Sequence, residues 1–414
     1  MTTTLKVPVV IVGAGPAGLR AAQELAPQVD GEVLVLDREG QLGGIPRHSH
    51  HQGYGLRDLG RSLTGPAYAR RLVTAAAAAG AHLRSRAMVT GWAGERALEV
   101  TSPEGRQVVS ADAVVLATGA RERARAARWI PGDRPGGVLT TGELQQLVHL
   151  EGLPVGGRAV VVGAELVSWS AVLTLRQAGV ETVCLVTEHP QPDSYRAFSA
   201  PGRLLFRTRV RTSSRVVRVV GRGRVSGVEV EDVATGAREI VACDTVVFTG
   251  DWVPDHEIAR LGGVPLDAGT LGPRVDAALR TEVPGVFAAG NVLHAVDTAD
   301  VCALDGAHVA RSVLAHLHGA RPAAAAVRVV ADAPFRWVAP SLLRPGDTAP
   351  ARERLLLWTD ELVRRPRVVA RQDGRVVGSL RVRWPAAPGR VFRVPSSLLA
   401  DVRWDGGEVR VGLG

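Results

Sequence analysis

The twenty residues VPVVIVGAGPAGLRAAQELA, Val7 to Ala26, constrain the fold more than any other stretch of the chain. Val7 to Val12 form an apolar, β-branched run of the length of a buried strand. Gly13, Gly15 and Gly18 follow as G-x-G-x-x-G, and the residues after them carry the periodicity of an amphipathic helix. Gly13 permits a tight turn, Gly15 lets the backbone approach a pyrophosphate, and Gly18 lets helix and strand pack closely. Pro16 and Ala17 fall in the first helical turn, whose free N–H groups and positive dipole end face the phosphates. A second strand, EVLVLD, ends at Asp37, 24 residues after Gly13, where a carboxylate accepts hydrogen bonds from a ribose. Strand, turn, helix, strand and acid in that order predict a dinucleotide site much more specifically than a glycine motif alone.

The residues after Asp37 narrow the cofactor. Arg38 leads into Gly43-Gly44 and Ile45, and a glycine pair at this distance resembles the second signature of two-dinucleotide-binding-domain flavoproteins. There the chain passes beside the FAD pyrophosphate. Further matches recur: Ala117-Thr118-Gly119 closes the strand in ADAVVLATGARER, and Gly250 closes that in TVVFTGDWVPD. TEVPGVFAAGNVLH resembles the element that holds the flavin's ribityl chain, with Gly290 in place and Asn291 where most relatives have Asp. An asparagine still bonds a hydroxyl. The resemblance implies FAD, with Val89 near the adenine, and Thr298 and Ala299 opening a helix that points at the flavin. Thr298 is expected to N-cap that helix, with Asp300 in its first turn.

A second strand–turn–helix–strand lies in LPVGGRAVVVGAELVSWSAVLTLRQAGVETVCLVTEH, but only Gly163 of its triplet survives. Glu165 and Ser168 stand at the other two positions. A side chain at 165 crowds the approach of a pyrophosphate, and its charge is wrong unless it turns away. Glu188, at the end of the second strand, suits an NAD ribose. NAD(P)H is therefore a possible second cofactor, and a nucleotide fold that binds no dinucleotide is the alternative.

GGIPRHSHHQGYGLRDLGRSLTGPAYARR, ATGARERARAARWIPGDRPGGVLTTGELQQLV and DTVVFTGDWVPDHEIARLGG together resemble one group of FAD-dependent oxidoreductases. Members are encoded beside anaerobic-type glycerol-3-phosphate dehydrogenases, and are more distantly similar to the hydrogen-cyanide synthase and opine oxidase flavoprotein subunits. The resemblance implies an α/β fold of the pyridine nucleotide-disulfide oxidoreductase type. It would comprise two Rossmann-like domains, an FAD domain with an inserted NAD(P)-type domain, plus a small β-rich C-terminal domain. Boundaries are expected at 1–121 and 251–330 for the FAD domain, 122–250 for the insert and 331–414 for the tail. It also implies electron exchange with a partner such as a second dehydrogenase or an iron–sulfur subunit. Two residues depart from the group: Ser49 and Ala120 stand where its members usually carry cysteine.

His48, His50 and His51 follow Arg47 in one loop. Their spacing matches no common metal site, so no metal is expected. Placed beyond Gly43-Gly44, His48 could shuttle a proton as a hydride is transferred, and Arg47 could stabilise charge on the reduced flavin. His294 could line the substrate side, and Trp252 could cover a flavin or nicotinamide face. Bland readings stand beside these: loop histidines bonded to backbone or cofactor oxygens, and a packed tryptophan.

Composition limits the alternatives. The formal charge is +9, but Lys6 is the only lysine, arginines are spread along the chain and aromatics are 4%. Nucleic-acid stacking platforms are not expected. Cys184, Cys243 and Cys302 are isolated, without C-x-x-C. No run of about 18 apolar residues suggests a membrane span, and the N-terminus leads directly into a strand, so a cytoplasmic protein is expected. The remaining expectations are a helix opening at Gly65-Pro66 and closing at Gly80, and a strand across HLRSRAMV. A meander follows over 92–117, then a linker over 318–330 and a hairpin turning at Asp373-Gly374. The sequence thus predicts an FAD-dependent oxidoreductase. One variant is a stand-alone oxidase or dehydrogenase of a small amine or hydroxy compound; the other is a non-catalytic subunit that carries FAD.

Overall fold

The computed structural model describes residues 3–192, 208–347 and 349–414. The chain divides into two compact units, Met1–Arg47 with Gly53–Arg121 and Val253–Gly414, and His48–Gln52 with Glu122–Trp252.

In the first unit, strand β1 (Thr3–Val12) pairs in parallel with β2 (Val33–Leu36) on one side and β3 (Gly105–Leu116) on the other. His82–Arg84 extends the sheet beyond β2, and Val286–Ala288 adds in parallel to the C-terminal end of β3. The first half of β3 instead continues antiparallel into Ala97–Ser102 and Met88–Gly94. The four residues of β2 are all buried, as expected for a strand covered on both faces. The stretch HLRSRAMV is not one strand but parts of two, separated where Arg86 takes φ 53°. The Arg86 and Ala87 N–H groups donate to the Glu39 and Asp37 carbonyls, which turns the chain out of the parallel sheet and into the meander.

Helix α1 (Pro16–Leu25) buries Ala17, Leu19, Ala21, Ala22 and Leu25. Helix α2 (Gly65–Ala78) starts with the Thr64 hydroxyl accepting from Ala67 N–H at 3.4 Å, and Gly80 turns left-handed just past its end. The long helix Ala299–Leu317, called α5 below, runs against α1. Their backbones meet so closely that a Cβ at Gly306 would lie 2.2 Å from the Ala17 carbonyl oxygen.

From Val327 the first unit ends in a β-rich lobe. It has a five-stranded sheet containing Val327–Ala331, Val409–Leu413 and Arg367–Gln372, and a three-stranded sheet of Phe335–Ala339, Arg354–Thr359 and Phe392–Pro395. Val329, Leu355, Leu357, Val368, Val394 and Val411 are fully or almost fully buried between them. Asp373 and Gly374 both have positive φ at the tip of the hairpin, as a two-residue primed turn requires.

The second unit carries a parallel sheet in the order Val138–Thr140, β5 (Thr245–Phe248), β4 (Arg158–Val162), Glu181–Val186, Arg209–Arg211. Helices α3 (Thr141–His149) and α4 (Leu166–Gln177) bury Leu144, Trp169, Ala171 and Leu175 against Ala159, Val161 and Val247 of this sheet. A three-stranded antiparallel sheet, Ser214–Val220, Gly227–Asp232 and Arg238–Ala242, completes the unit.

Because α1 and α5 meet at Gly306, Gly306→Ala should cost roughly 1–3 kcal/mol through overpacking. A lower thermal midpoint than the parent would show it; an unchanged midpoint would mean that the helices can separate without penalty.

Candidate functional site

The cradle of the first unit forms where β1 meets α1. A Cβ at Gly13 (φ 106°) would lie 2.3 Å from the Ala117 carbonyl oxygen, and one at Gly18 only 1.9 Å from the Gly13 carbonyl oxygen. Both glycines are demanded by the protein's own backbone. At Gly15 the same atom meets nothing within 4 Å. This second glycine therefore leaves room for a ligand to approach the helix N-terminus, where Pro16 stands in the first turn and no acidic side chain follows.

Asp37 ties this turn to the end of β2. Its Oδ2 accepts from Ala14 N–H at 2.7 Å and its Oδ1 from Glu39 N–H at 2.8 Å, leaving each oxygen a lone pair for a hydroxyl. Gly43 donates its N–H to the Ala14 carbonyl at 2.9 Å, and Gly44 lies against Gly15. Ile45, the next residue, is 41% exposed, unusually open for an isoleucine beside a cradle. Arg38 pairs with Asp255 at 3.2 Å. Arg121 also pairs with Asp255 and with Glu257, while Thr118 donates to the Asp255 carbonyl at 2.7 Å and Asp255 N–H donates to that of Gly119. Ala117 N–H donates to the Val12 carbonyl, and Val89 is buried within Met88–Gly94. Arg47 donates to the Gln41 carbonyl at 2.7 Å and pairs with Glu39 at 3.4 Å, so its guanidinium braces the turn after β2.

The loop before α5 is held by side chains on both sides. Asn291 bonds the Asp297 backbone twice, from Nδ2 to the carbonyl at 2.9 Å and at Oδ1 from the N–H at 3.0 Å. Gly290 packs on Ala17. Thr298 occupies the N-cap position of α5 ahead of Ala299, but its hydroxyl accepts nothing from the helix. It donates instead to Asp300, a correction to the expected cap. The Asp300 carboxylate is the anion at this helix end, accepting from Arg57 N–H at 3.0 Å and pairing with the Arg57 guanidinium at 3.2 Å. His294 is buried and stacks on Trp337 of the β-rich lobe, centroids 5.7 Å apart. Burial lowers its pKa despite Asp297 nearby. Arg393, from the same lobe, holds Asp297 at 3.0 Å. Nothing in the sequence distinguishes Arg57, Asp255 and Arg393 from the many other charged residues.

In the second unit, His48 is buried and its Nδ1 lies 3.2 Å from Gln145 Oε1. Gln145 Nε2 donates to Ser170 at 2.8 Å and to Ser49 at 3.4 Å. His50 stacks on His149 with centroids 4.0 Å apart, and His51 Nδ1 bonds the Gln52 carbonyl at 2.8 Å. The three imidazoles thus turn to three different partners. Burial, helped by its histidine neighbours, lowers His149 to about 4. Trp252 is half-buried at the end of the unit. All three cysteines are buried free thiols, Cys184 and Cys243 within one apolar cluster, and burial raises each thiol's pKa, that of Cys243 to about 11. The thiolate that disulfide exchange requires is disfavoured at every one.

Glu122 sits at the N-terminus of α3, where Gly142 N–H donates to its Oε2 at 2.7 Å and its Oε1 is buried without a partner. Burial pushes its pKa up to about 7. A raised carboxyl favours the fold fully at low pH and loses that contribution as pH climbs from the ordinary glutamate range through about 7. Glu122→Gln should therefore gain thermal stability over the parent across that interval and hold the gain above it, by roughly 2–3 kcal/mol. Melting curves at several pH values would read this, and parallel pH profiles would contradict it.

A model of the pyridine nucleotide-disulphide oxidoreductase family matches residues 7–312. Thioredoxin reductase of Treponema pallidum (strain Nichols) is 29% identical over 299 residues, 69% of this chain and 88% of that protein. The A subunit of opine oxidase from Agrobacterium tumefaciens (strain Ach5) is 30% identical over 197 residues, 44% of this chain and only 37% of that protein. Among solved structures, thioredoxin reductase of T. acidophilum has a TM-score of 0.64 at 23% identity, covering 75% of this chain and 98% of that one. L-proline dehydrogenase of P. horikoshii has a TM-score of 0.60 at 19% identity, covering 77% of this chain and 57% of that one. These two structures share the fold. With the family match running from β1 to α5 and across the second unit, the chain belongs to the pyridine nucleotide-disulphide oxidoreductase family and is an FAD-dependent oxidoreductase.

Proposed function

We propose that the chain is a flavin dehydrogenase that oxidises a small amine or hydroxy compound directly and hands the electrons to a partner protein or to NAD(P)+, without passing them through its own thiols. The observation that carries this reading is that all three cysteines are buried as free thiols, where burial disfavours the thiolate, in a family whose name includes disulphide chemistry. Two relatives named as parts of oxidases, the A chain of opine oxidase and the alpha chain of sarcosine oxidase, support a partner. The group encoded beside anaerobic-type glycerol-3-phosphate dehydrogenases supplies the functional analogy.

FAD fits the first unit, because the open second glycine and the doubly bonded Asp37 are the parts a bound diphosphate and ribose need. When bound, FAD supplies reversible hydride and single-electron chemistry. The chain's own residues do the rest. Gly13, Gly15, Gly43 and Gly44 would line the diphosphate, while the α1 N-terminus would neutralise part of its charge. Arg47 stiffens the turn after β2, whose Asp37 would bond the ribose. Asn291, Asp297 and Arg393 hold the loop that leads to α5, and His294 of that loop stacks on Trp337. His48, with Nδ1 oriented by Gln145, would exchange a proton with the substrate.

Anaerobic mixing of the FAD-loaded chain with small amines and hydroxy acids is expected to bleach the flavin for one of these classes, with no turnover of a disulfide substrate. Sustained disulfide reduction would reject the reading. His48→Ala should slow flavin reduction on the order of 100-fold with FAD content unchanged. An unaltered rate would remove His48 from proton transfer.

A further inference from the structure

The same crevice exists twice in this chain, and its chemistry is opposite in the two units. In open α/β sheets a ligand sits outside the carboxyl ends of the strands, where the strand order reverses. In the first unit that place lies between β1 and β3, and in the second between β4 and β5. In the first unit, Cβ atoms added at Gly15 and Gly119 meet no protein atom within 4 Å. In the second, position 165 is a glutamate, and a Cβ at Gly250 would lie 2.6 Å from its Oε1. One at Gly163 would lie 2.5 Å from its Oε2. The carboxylate therefore spans the crevice from the glycine turn after β4 to the glycine after β5.

Glu165 is held there rather than turned away. Its Oε2 accepts from the Ser168 hydroxyl at 2.6 Å and lies 3.0 Å from the Thr249 hydroxyl. Ser168 Oγ in turn accepts from Glu165 N–H at 3.1 Å and lies 2.7 Å from Thr249 Oγ1. Ser168 and Thr249 are almost wholly buried. Glu165 is the N-cap residue of α4, so its charge sits at the positive end of the helix. The two residues that break the glycine motif thus act as a pair, one supplying the anion and the other fastening it. Arg128 closes the rim, donating to the Thr249 and Gly250 carbonyls at 3.1 and 2.8 Å.

We propose that Glu165 is a resident anion that fills the phosphate cradle of the second unit and excludes nicotinamide dinucleotides from it. A diphosphate entering here would meet the carboxylate where its own oxygens must go, and would have to break the Ser168 and Thr249 bonds to displace it. NAD(P)H, which the family implies, does not fit this unit as built. Of the two electron partners allowed above, the partner protein is the one that remains. The claim about the cradle concerns the second unit alone and stands whether or not the flavin accepts electrons from a small amine or hydroxy compound.

The test titrates NADH and NADPH into the FAD-loaded chain and follows nicotinamide fluorescence and heat. The parent is expected to show no saturable binding of either at millimolar concentration. Glu165→Gly combined with Ser168→Gly should bind at least one of them tenfold tighter or better, with FAD content and thermal midpoint reporting that the variant is folded. If that variant does not fold, Glu165→Gln, which keeps the shape and removes the charge, should still gain at least threefold. Saturable submillimolar binding by the parent would overturn the proposal. So would a folded double variant, or a folded Glu165→Gln in its absence, that gains nothing. Because the readout is binding, an enzyme inert toward every small substrate would leave this result intact.

Discussion

The close approach of backbone to backbone at Gly13 and Gly18 underlies the first unit. With Cβ atoms impossible at both, β1, the following turn and α1 form one tight corner, and the space at Gly15, beside the helix end, stays open. Helix N–H groups without partners are costly when covered by apolar surface, and they are an asset when an anion is present. The Asp37 carboxylate reinforces this corner by binding Ala14 from the end of the neighbouring strand. Gly306 repeats the device on the other side, letting α5 lie against the Ala17 carbonyl.

The second unit meets the same electrostatic demand from within. A helix N-terminus at the end of a parallel strand attracts negative charge whatever its source, and Glu165 provides it covalently. An internal carboxylate has an advantage over a diffusible anion, because it loses no translational freedom on binding. The unit can thus keep the dinucleotide topology, with its parallel sheet and crossover helix, without the ligand for which that topology is known. A fold shows which place is electrostatically prepared, and the residues there determine what fills it.

Charged residues of the first unit form a second layer of organisation. Asp255 gathers Arg38, Arg121 and the Thr118 hydroxyl beside the end of β3, while Asp297 gathers Asn291 and Arg393 before α5. Through Arg393 and Trp337 the β-rich lobe holds the very loop that the flavin signature supplies. The lobe is therefore part of the first unit's architecture and not a freely hung tail.

The parallel sheet, the glycine corner at Gly13 to Gly18, the acid at Asp37 and the Asp373-Gly374 turn were all legible from the chain. Each depends on local conformation or on a short spacing, which a run of residues states directly. The orientation of the polar side chains was not legible. Thr298 looks like a helix cap, yet its hydroxyl serves Asp300, which is also bound by Arg57, 243 residues away. Glu165 could have pointed either way, and the contact with Thr249, 84 residues further on, is what turns it inward. Long polar side chains have many rotamers of similar energy. Which one is populated depends on partners that only folding brings within reach, so the backbone plan could be read in order along the chain, while the chemistry of each crevice required the assembled molecule.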